Sequence, residues 1–257
     1  MARQRVIIVA RLSLILAAIL LLAAPPAAPA GAAARAGGAA SGVCFIRGIY
    51  RDVLGRLPDP LEVSSGQSYL GSHTNAEYAL TLVTSNEYRV ILIQSWYQRF
   101  LGRAATSGEI SAWQFDLGSG ASDEHVIAVI LGSNEYYSQS RVSNDPASLV
   151  QAVYHDLLER APSPIESSTW QNYLNTHSRQ QFAEAILASA EYQTVIIKAW
   201  YRRYLGREAT DGEAAASRGI LNGPGGSDEK VIANLLGSPE YYARAAVCLT
   251  YLPLVSR

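Results

Sequence analysis

The sequence predicts an all-α fold, and three observations carry that reading. A helix-starting signal, a small polar residue followed three positions later by glutamate, occurs four times in register: Asp59-Pro-Leu-Glu62, Thr106-Ser-Gly-Glu109, Ser163-Pro-Ile-Glu166 and Thr210-Asp-Gly-Glu213. A helix-ending signal, Tyr-x-x-x-Leu, stands just before each of them, and in three cases it runs on into Gly-Arg. The β-branched runs fall on helical rather than alternating spacing, so strand signals are weak throughout.

In chain order, residues 1–36 read as an address rather than as fold. Arg3, Arg5 and Arg11 precede an apolar stretch from Leu12 to Ala24. Small residues and prolines follow, with Ala28-Pro29-Ala30 and Ala34-Arg35-Ala36 as cleavage sites. This is the order of a secretory signal peptide, which predicts a secreted, extracellular protein that meets the membrane only during export. An apolar run of 13 residues that includes Ser13 is short of the roughly 20 that a spanning helix needs. Removing this segment takes away four arginines and no acids, leaving 17 basic against 22 acidic residues and a net charge near −5. Such a balance excludes a nucleic-acid footprint, which would be basic.

Residues 37–43 read as a short linker. The first helix then shows an apolar stripe of Ile46, Ile49, Tyr50, Val53 and Leu54 at helical spacing. Gly55, Gly102 and Gly206 stand where a helix stops in a left-handed residue, a conformation glycine adopts without penalty. Glu159 replaces the glycine at the third such place, so that helix is expected to end differently or to run on. Each capped helix closes on a leucine, Leu70, Leu117, Leu174 or Leu221. Each is followed further on by Ser-x-Glu-Tyr at 85, 133, 189 or 238, with serine as N-cap and glutamate in the first turn. Helices from Ser85 to Leu101 and from Ser189 to Leu205 are expected to run uninterrupted as buried central helices.

The chain is internally duplicated. Sliding residues 45–109 forward by 104 aligns them with 149–213 without a gap, and 27 of the 65 positions are identical. Within each copy the Tyr-x-x-x-Leu, arginine, capping glutamate and Ser-x-Glu-Tyr recur once more. The expectation is therefore four helical units of roughly fifty residues in two pseudo-equivalent pairs. A first double-repeat domain spans 44–144, a second spans 145–249 after a phase break at Asn144-Asp145-Pro146, and 250–257 form a tail.

Cys44 and Cys248 are the only cysteines and bracket nearly everything after the signal. In an exported chain such a pair reads as a disulfide; two buried thiols are the other reading. Closing a loop of about 205 residues would stabilise the fold by roughly 5 kcal/mol in the chain-entropy picture. It would also bring the two ends within about 7 Å between α-carbons.

At Y-x-x-x-LGR, the following cap with its glutamate, Trp113 and Trp170 four positions after that glutamate, and Ser-x-Glu-Tyr, the chain resembles tandem copies of a bacterial module, domain of unknown function 4214. It is more distantly similar to the linker domain of phycobilisomes. The resemblance covers about residues 44–245. It implies a helical module of exported or surface proteins with no established reaction, and phycobilisome linkers are scaffolds, which points by analogy to binding or assembly. Gly66 and Ser217 stand where tryptophan is expected.

Arg56, Arg103, Arg160 and Arg207 are read as structural pins, each pairing with a Ser-x-Glu-Tyr glutamate (Glu87, Glu135, Glu191 or Glu240) of its own or the adjoining unit while its stem covers apolar surface. Glu62, Glu109, Glu166 and Glu213 are read as caps. Among the aromatics, Tyr69, Tyr137 and Tyr242 depart from core spacing and are the candidate binding residues for a surface polysaccharide or a protein partner. No HExxH, no Cys/His zinc spacing, no EF-hand loop and no phosphate loop occurs, so no catalytic residue, metal site or cofactor is expected. The expected function is a secreted, non-enzymatic module for binding, adhesion or assembly. The alternative is an extracellular glycan or cell-wall hydrolase with paired carboxylates in a groove between the halves.

Overall fold

A computed structural model describes residues 37–245 of the chain. The expected signal peptide, the tail and Cys248 lie outside the described residues. The elements are α-helices joined by short turns: α1 (Gly37–Leu54), α2 (Pro60–Leu70), α3 (Asn75–Val83), α4 (Asn86–Trp96), α5 (Ser107–Gly118), α6 (Asp123–Gly132) and α7 (Asn134–Tyr137). The chain continues through α8 (Pro146–Leu158), α9 (Pro164–Leu174), α10 (Arg179–Leu187), α11 (Ala190–Trp200), α12 (Asp211–Leu221), α13 (Asp228–Leu236) and α14 (Pro239–Ala245). No strand occurs among the described residues. Residues 37–43, expected as a linker, are the first turns of α1.

Local chemistry sets the helix ends. Asp59, Thr106, Ser163 and Thr210 each accept a hydrogen bond from the backbone N–H of the glutamate three positions on. That glutamate's carboxylate accepts in turn from the cap residue's own N–H, so all four boxes are complete. The central helices depart from the expected uniform α form. Both α4 and α11 widen into a π-helical turn over Tyr97–Leu101 and Tyr201–Leu205 before stopping at Gly102 and Gly206. The wider turn accommodates closely spaced buried aromatics, Trp96, Tyr97 and Phe100 in one case and Trp200, Tyr201 and Tyr204 in the other.

Glu159 corrects a sequence expectation. It ends α8 at φ 57° and ψ 25°, the left-handed conformation that glycine takes at the equivalent places. The fold imposes this conformation on a residue with a Cβ, at a cost of about 1–2 kcal/mol.

Two apolar cores form, and each draws on both halves of the sequence. The first gathers Phe45, Ile46 and Ile49 from α1 and Tyr78, Ala79 and Leu82 from α3, together with the end of α11, α13 and α14. The second gathers the end of α4, α6, α8 and α10, from Ile93 to Tyr192. Helices α4 and α11 run from one core to the other: Tyr88 lies in the first and Trp96 in the second, whereas Tyr192 lies in the second and Trp200 in the first. Val142 and Leu149, on either side of the expected boundary at 144/145, are both buried in the second core. Residues 37–245 accordingly belong to one compact unit.

Two close helix pairs hold this exchange together, α3 along α13 and α6 along α10. Small side chains make the approach possible. Ala79, Ala128, Ala183 and Ala233 are all buried. A Cβ on Gly237 would lie 2.5 Å from the α-carbon of Ala76, and one on Gly132 would lie 2.8 Å from the backbone nitrogen of Gln180. At such distances any side chain would push backbone apart.

Candidate functional site

The arginines lie at the centre of one hydrogen-bond pattern that recurs four times. Arg56 donates from Nε and Nη2 to the two carboxylate oxygens of Glu87 at 2.6 and 2.8 Å, and from Nη1 and Nη2 to those of Glu62 at 2.8 and 2.7 Å. Nη1 also donates to the carbonyl of Leu57 at 3.2 Å, so all five N–H groups are used. The guanidinium sits 5.1 Å from the ring centroid of Tyr50. Arg103 meets Glu109 and Glu135 over Tyr97 in the same way. Arg160 meets Glu166 and Glu191 over Tyr154, and Arg207 meets Glu213 and Glu240 over Tyr201. The arginine beside each capping glutamate and the backbone N–H it accepts hold Glu62, Glu109, Glu166 and Glu213 down at about 2. With every donor occupied, these guanidinium groups offer nothing to a ligand.

The tryptophan departures have a structural counterpart. The indoles of Trp113 and Trp170 donate to the hydroxyls of Tyr97 and Tyr154 at 2.9 and 2.7 Å. Gly66 leaves that space to Tyr78, whose hydroxyl would lie 2.6 Å from a Cβ at position 66. Phe182, which stands at the place of Tyr78 beside Trp170, has no hydroxyl, and its ring centroid lies 5.1 Å from that of Trp170.

The tyrosines singled out by the sequence do not converge. Tyr69 stacks on His73 at 3.9 Å and packs against the first core, and Tyr242 lies 5.3 Å from Phe45 in that same region. Tyr137 packs against the second core, donates to the carbonyl of Asn144 at 2.8 Å and carries the Arg179 guanidinium over its ring at 4.2 Å. It lines a cavity of about 460 Å³ with Leu149, Leu174 and His177. All three tyrosines are half-buried.

A larger cleft, of about 710 Å³, opens where the N-termini of α6 and α13 meet α4, α10 and α11. Asp123 and Glu124 begin α6, Asp228 and Glu229 begin α13, and all four line it together with Glu184. Asp228 is only 9% exposed, and neither its side chain nor that of Asp123 makes a hydrogen bond or ion pair among the described residues. Arg89 lines the same cleft but donates to the side chain of Asn86 and makes no ion pair with these acids. Burial raises the Asp123 carboxyl to about 8, and the charges of Glu229 and Glu124 push the same way. Burial likewise pushes Asp228 well up, with Glu124, Asp123 and Glu229 adding to it. Among the described residues no three His, Cys, Asp or Glu side chains converge as a metal ion would require.

Sequence reasoning missed this cluster because each acid reads as a favourable first-turn residue. The signal was present nonetheless. Ser-Asp-Glu-x-Val-Ile-Ala occurs at 122–128 and again at 227–233, whereas the other two units carry Thr-Asn-Ala-Glu and Ser-Arg-Gln-Gln at the same place. No family model matches this chain, and no curated protein and no solved structure matches it.

Proposed function

We propose that this chain is an exported, non-enzymatic module of four helical units in two pairs, which binds a surface polysaccharide or a protein partner at the cell surface through the cleft between α6 and α13. The cleft's unpartnered acids carry this reading. The eight glutamates of the recurring motif are consumed by arginines and caps, whereas the four acids that begin α6 and α13 line one concave place without an ion pair among the described residues. The leader sequence supports export, and the resemblance to domain of unknown function 4214 and to phycobilisome linkers supports binding or assembly rather than a reaction. Closure by Cys44–Cys248 belongs to the same reading. A Cβ on Gly48, one helical turn after Cys44, would lie 2.8 Å from the Cβ of Ala245, three residues before Cys248 in the sequence, so the end of α14 packs on α1. Mass spectrometry of the exported protein tests cleavage and the disulfide together, and recovery of two free thiols would overturn the closure. Pull-down on cell envelopes and purified polysaccharides tests the binding.

One observation favours a second reading, a glycan or cell-wall hydrolase. Asp123 and Asp228 line one cleft, and a buried acid held protonated near neutrality is what a general acid requires. Against it, burial pushes both Asp123 and Asp228 towards the protonated form, whereas paired-carboxylate hydrolysis needs the second carboxylate ionised. Release of reducing ends from cell-wall material that disappears in both D123N and D228N would establish the hydrolase.

A further inference from the structure

Resting on the binding reading, we infer that the cleft between α6 and α13 takes a flexible chain bearing two or more alkylammonium or guanidinium groups. Five carboxylates, those of Asp123, Glu124, Glu184, Asp228 and Glu229, face Arg89 as the only lysine or arginine lining the space. The side chain of the nine-tenths-buried Asp228 has no partner among the described residues, and since no fully enclosed side-chain oxygen is left unsatisfied there, its carboxyl opens to the cleft, where a donor from outside can reach it. A metal ion would need three or more ligands on one point, and the acids do not converge in that way. They are distributed instead as one pair at the start of each of two helices. Leu117, Leu187 and Leu221 line the same cleft. A lining that combines carboxylates with leucine side chains suits a lysine-like or polyamine chain, whose methylenes lie on apolar surface while its cationic heads reach carboxylates. A volume of about 710 Å³ accommodates several such heads at once.

Protonation is linked to this occupancy. Asp123 and Asp228 must give up protons to meet a cation, and no imidazole other than that of His125 lines the cleft to compete for them. Affinity therefore rises with pH up to the raised carboxyl range and falls with salt.

Titration calorimetry of the full mature protein with spermidine and with a lysine-rich hexapeptide, at pH 6 and pH 8.5, tests the inference. Binding that strengthens at least about tenfold over that pH range, with proton uptake by the buffer, is expected. The D123N/D228N variant should weaken it by about tenfold or more at pH 8.5, and E124Q/E229Q carries the same test should the first variant fail to fold. A peptide much tighter than spermidine identifies a basic protein segment as the natural occupant, and comparable affinities identify a small polyamine. No binding of either probe at millimolar concentration, or equal binding by the variants, overturns the inference. Envelope retention of D123N/D228N measured alongside separates the two claims. Retention lost without any polycation binding overturns the cationic chemistry and leaves the cleft in place, whereas retention kept with polycation binding lost overturns the cleft as the surface-binding site.

Discussion

Replacing Arg103 by lysine or by alanine tests whether the recurring arginine is a structural pin. The guanidinium makes two bidentate contacts, to Glu109 and Glu135, and one to the carbonyl of Ala104, while lying 5.0 Å over the Tyr97 ring. Lysine keeps the charge but carries three donors on one point and cannot grip two carboxylates side by side. Shielded charge-assisted bonds contribute about 1.5–3 kcal/mol each, but the Arg103 side chain is 35% exposed and its partners 30% and 45%. Solvent screening brings each ion pair nearer to about 0.5–1 kcal/mol, and the cation–π contact adds about 0.5–1. We expect R103K to cost about 1 kcal/mol and R103A about 2–3 kcal/mol, lowering Tm by roughly 3 °C and 6–10 °C for a domain of this size. Thermal unfolding followed by circular dichroism at pH 7 and low salt measures both. In R103A/E135A the two losses should be less than additive. An R103A variant that melts within a degree of the parent would refute the pin.

Three further outcomes follow from the same structure. E159G should stabilise the protein by about 1 kcal/mol, read as a rise in Tm, because it removes a side chain from a left-handed position at φ 57°. G66W alone should destabilise by at least about 3 kcal/mol through its clash with Tyr78. Combining it with Y78F, which copies the Trp170 and Phe182 pair, should recover a measurable part of that loss in a double-mutant cycle. Stability should peak near pH 5. The capping glutamates, held at about 2 against an ordinary 4.5, stabilise the fold above 4.5 and lose that contribution as pH falls towards 2. Asp123, raised to about 8, binds a proton more readily in the folded state, so its contribution is present at low pH and is lost as pH rises from about 4 to 8. Melting temperatures across that range should show both limbs, and D123N/D228N should flatten the alkaline one.

What was legible in the sequence is what depends on neighbours in the chain. Asp59 and Glu62 are three residues apart, so their reciprocal cap is decided by one helical turn, and the same holds at Thr106, Ser163 and Thr210. Glu159 was misread because local preference disfavours a left-handed glutamate, whereas packing around the end of α8 imposes it. The joining of α3 to α13 and of α6 to α10 was not legible, since residues about fifty or about a hundred and fifty positions apart meet there and both halves carry the same apolar pattern. The acid cleft was hidden for a related reason. Asp123 and Asp228 lie 105 positions apart, and each is unremarked as a helix-starting acid until the fold puts both in one cavity.

Retention of the mature protein on envelopes of the producing cell, compared between the parent and D123N/D228N, tests the central claim most directly. The account predicts that the parent is retained and released by salt, that the folded double variant washes through, and that neither degrades the envelope. Equal retention of the two proteins would contradict it.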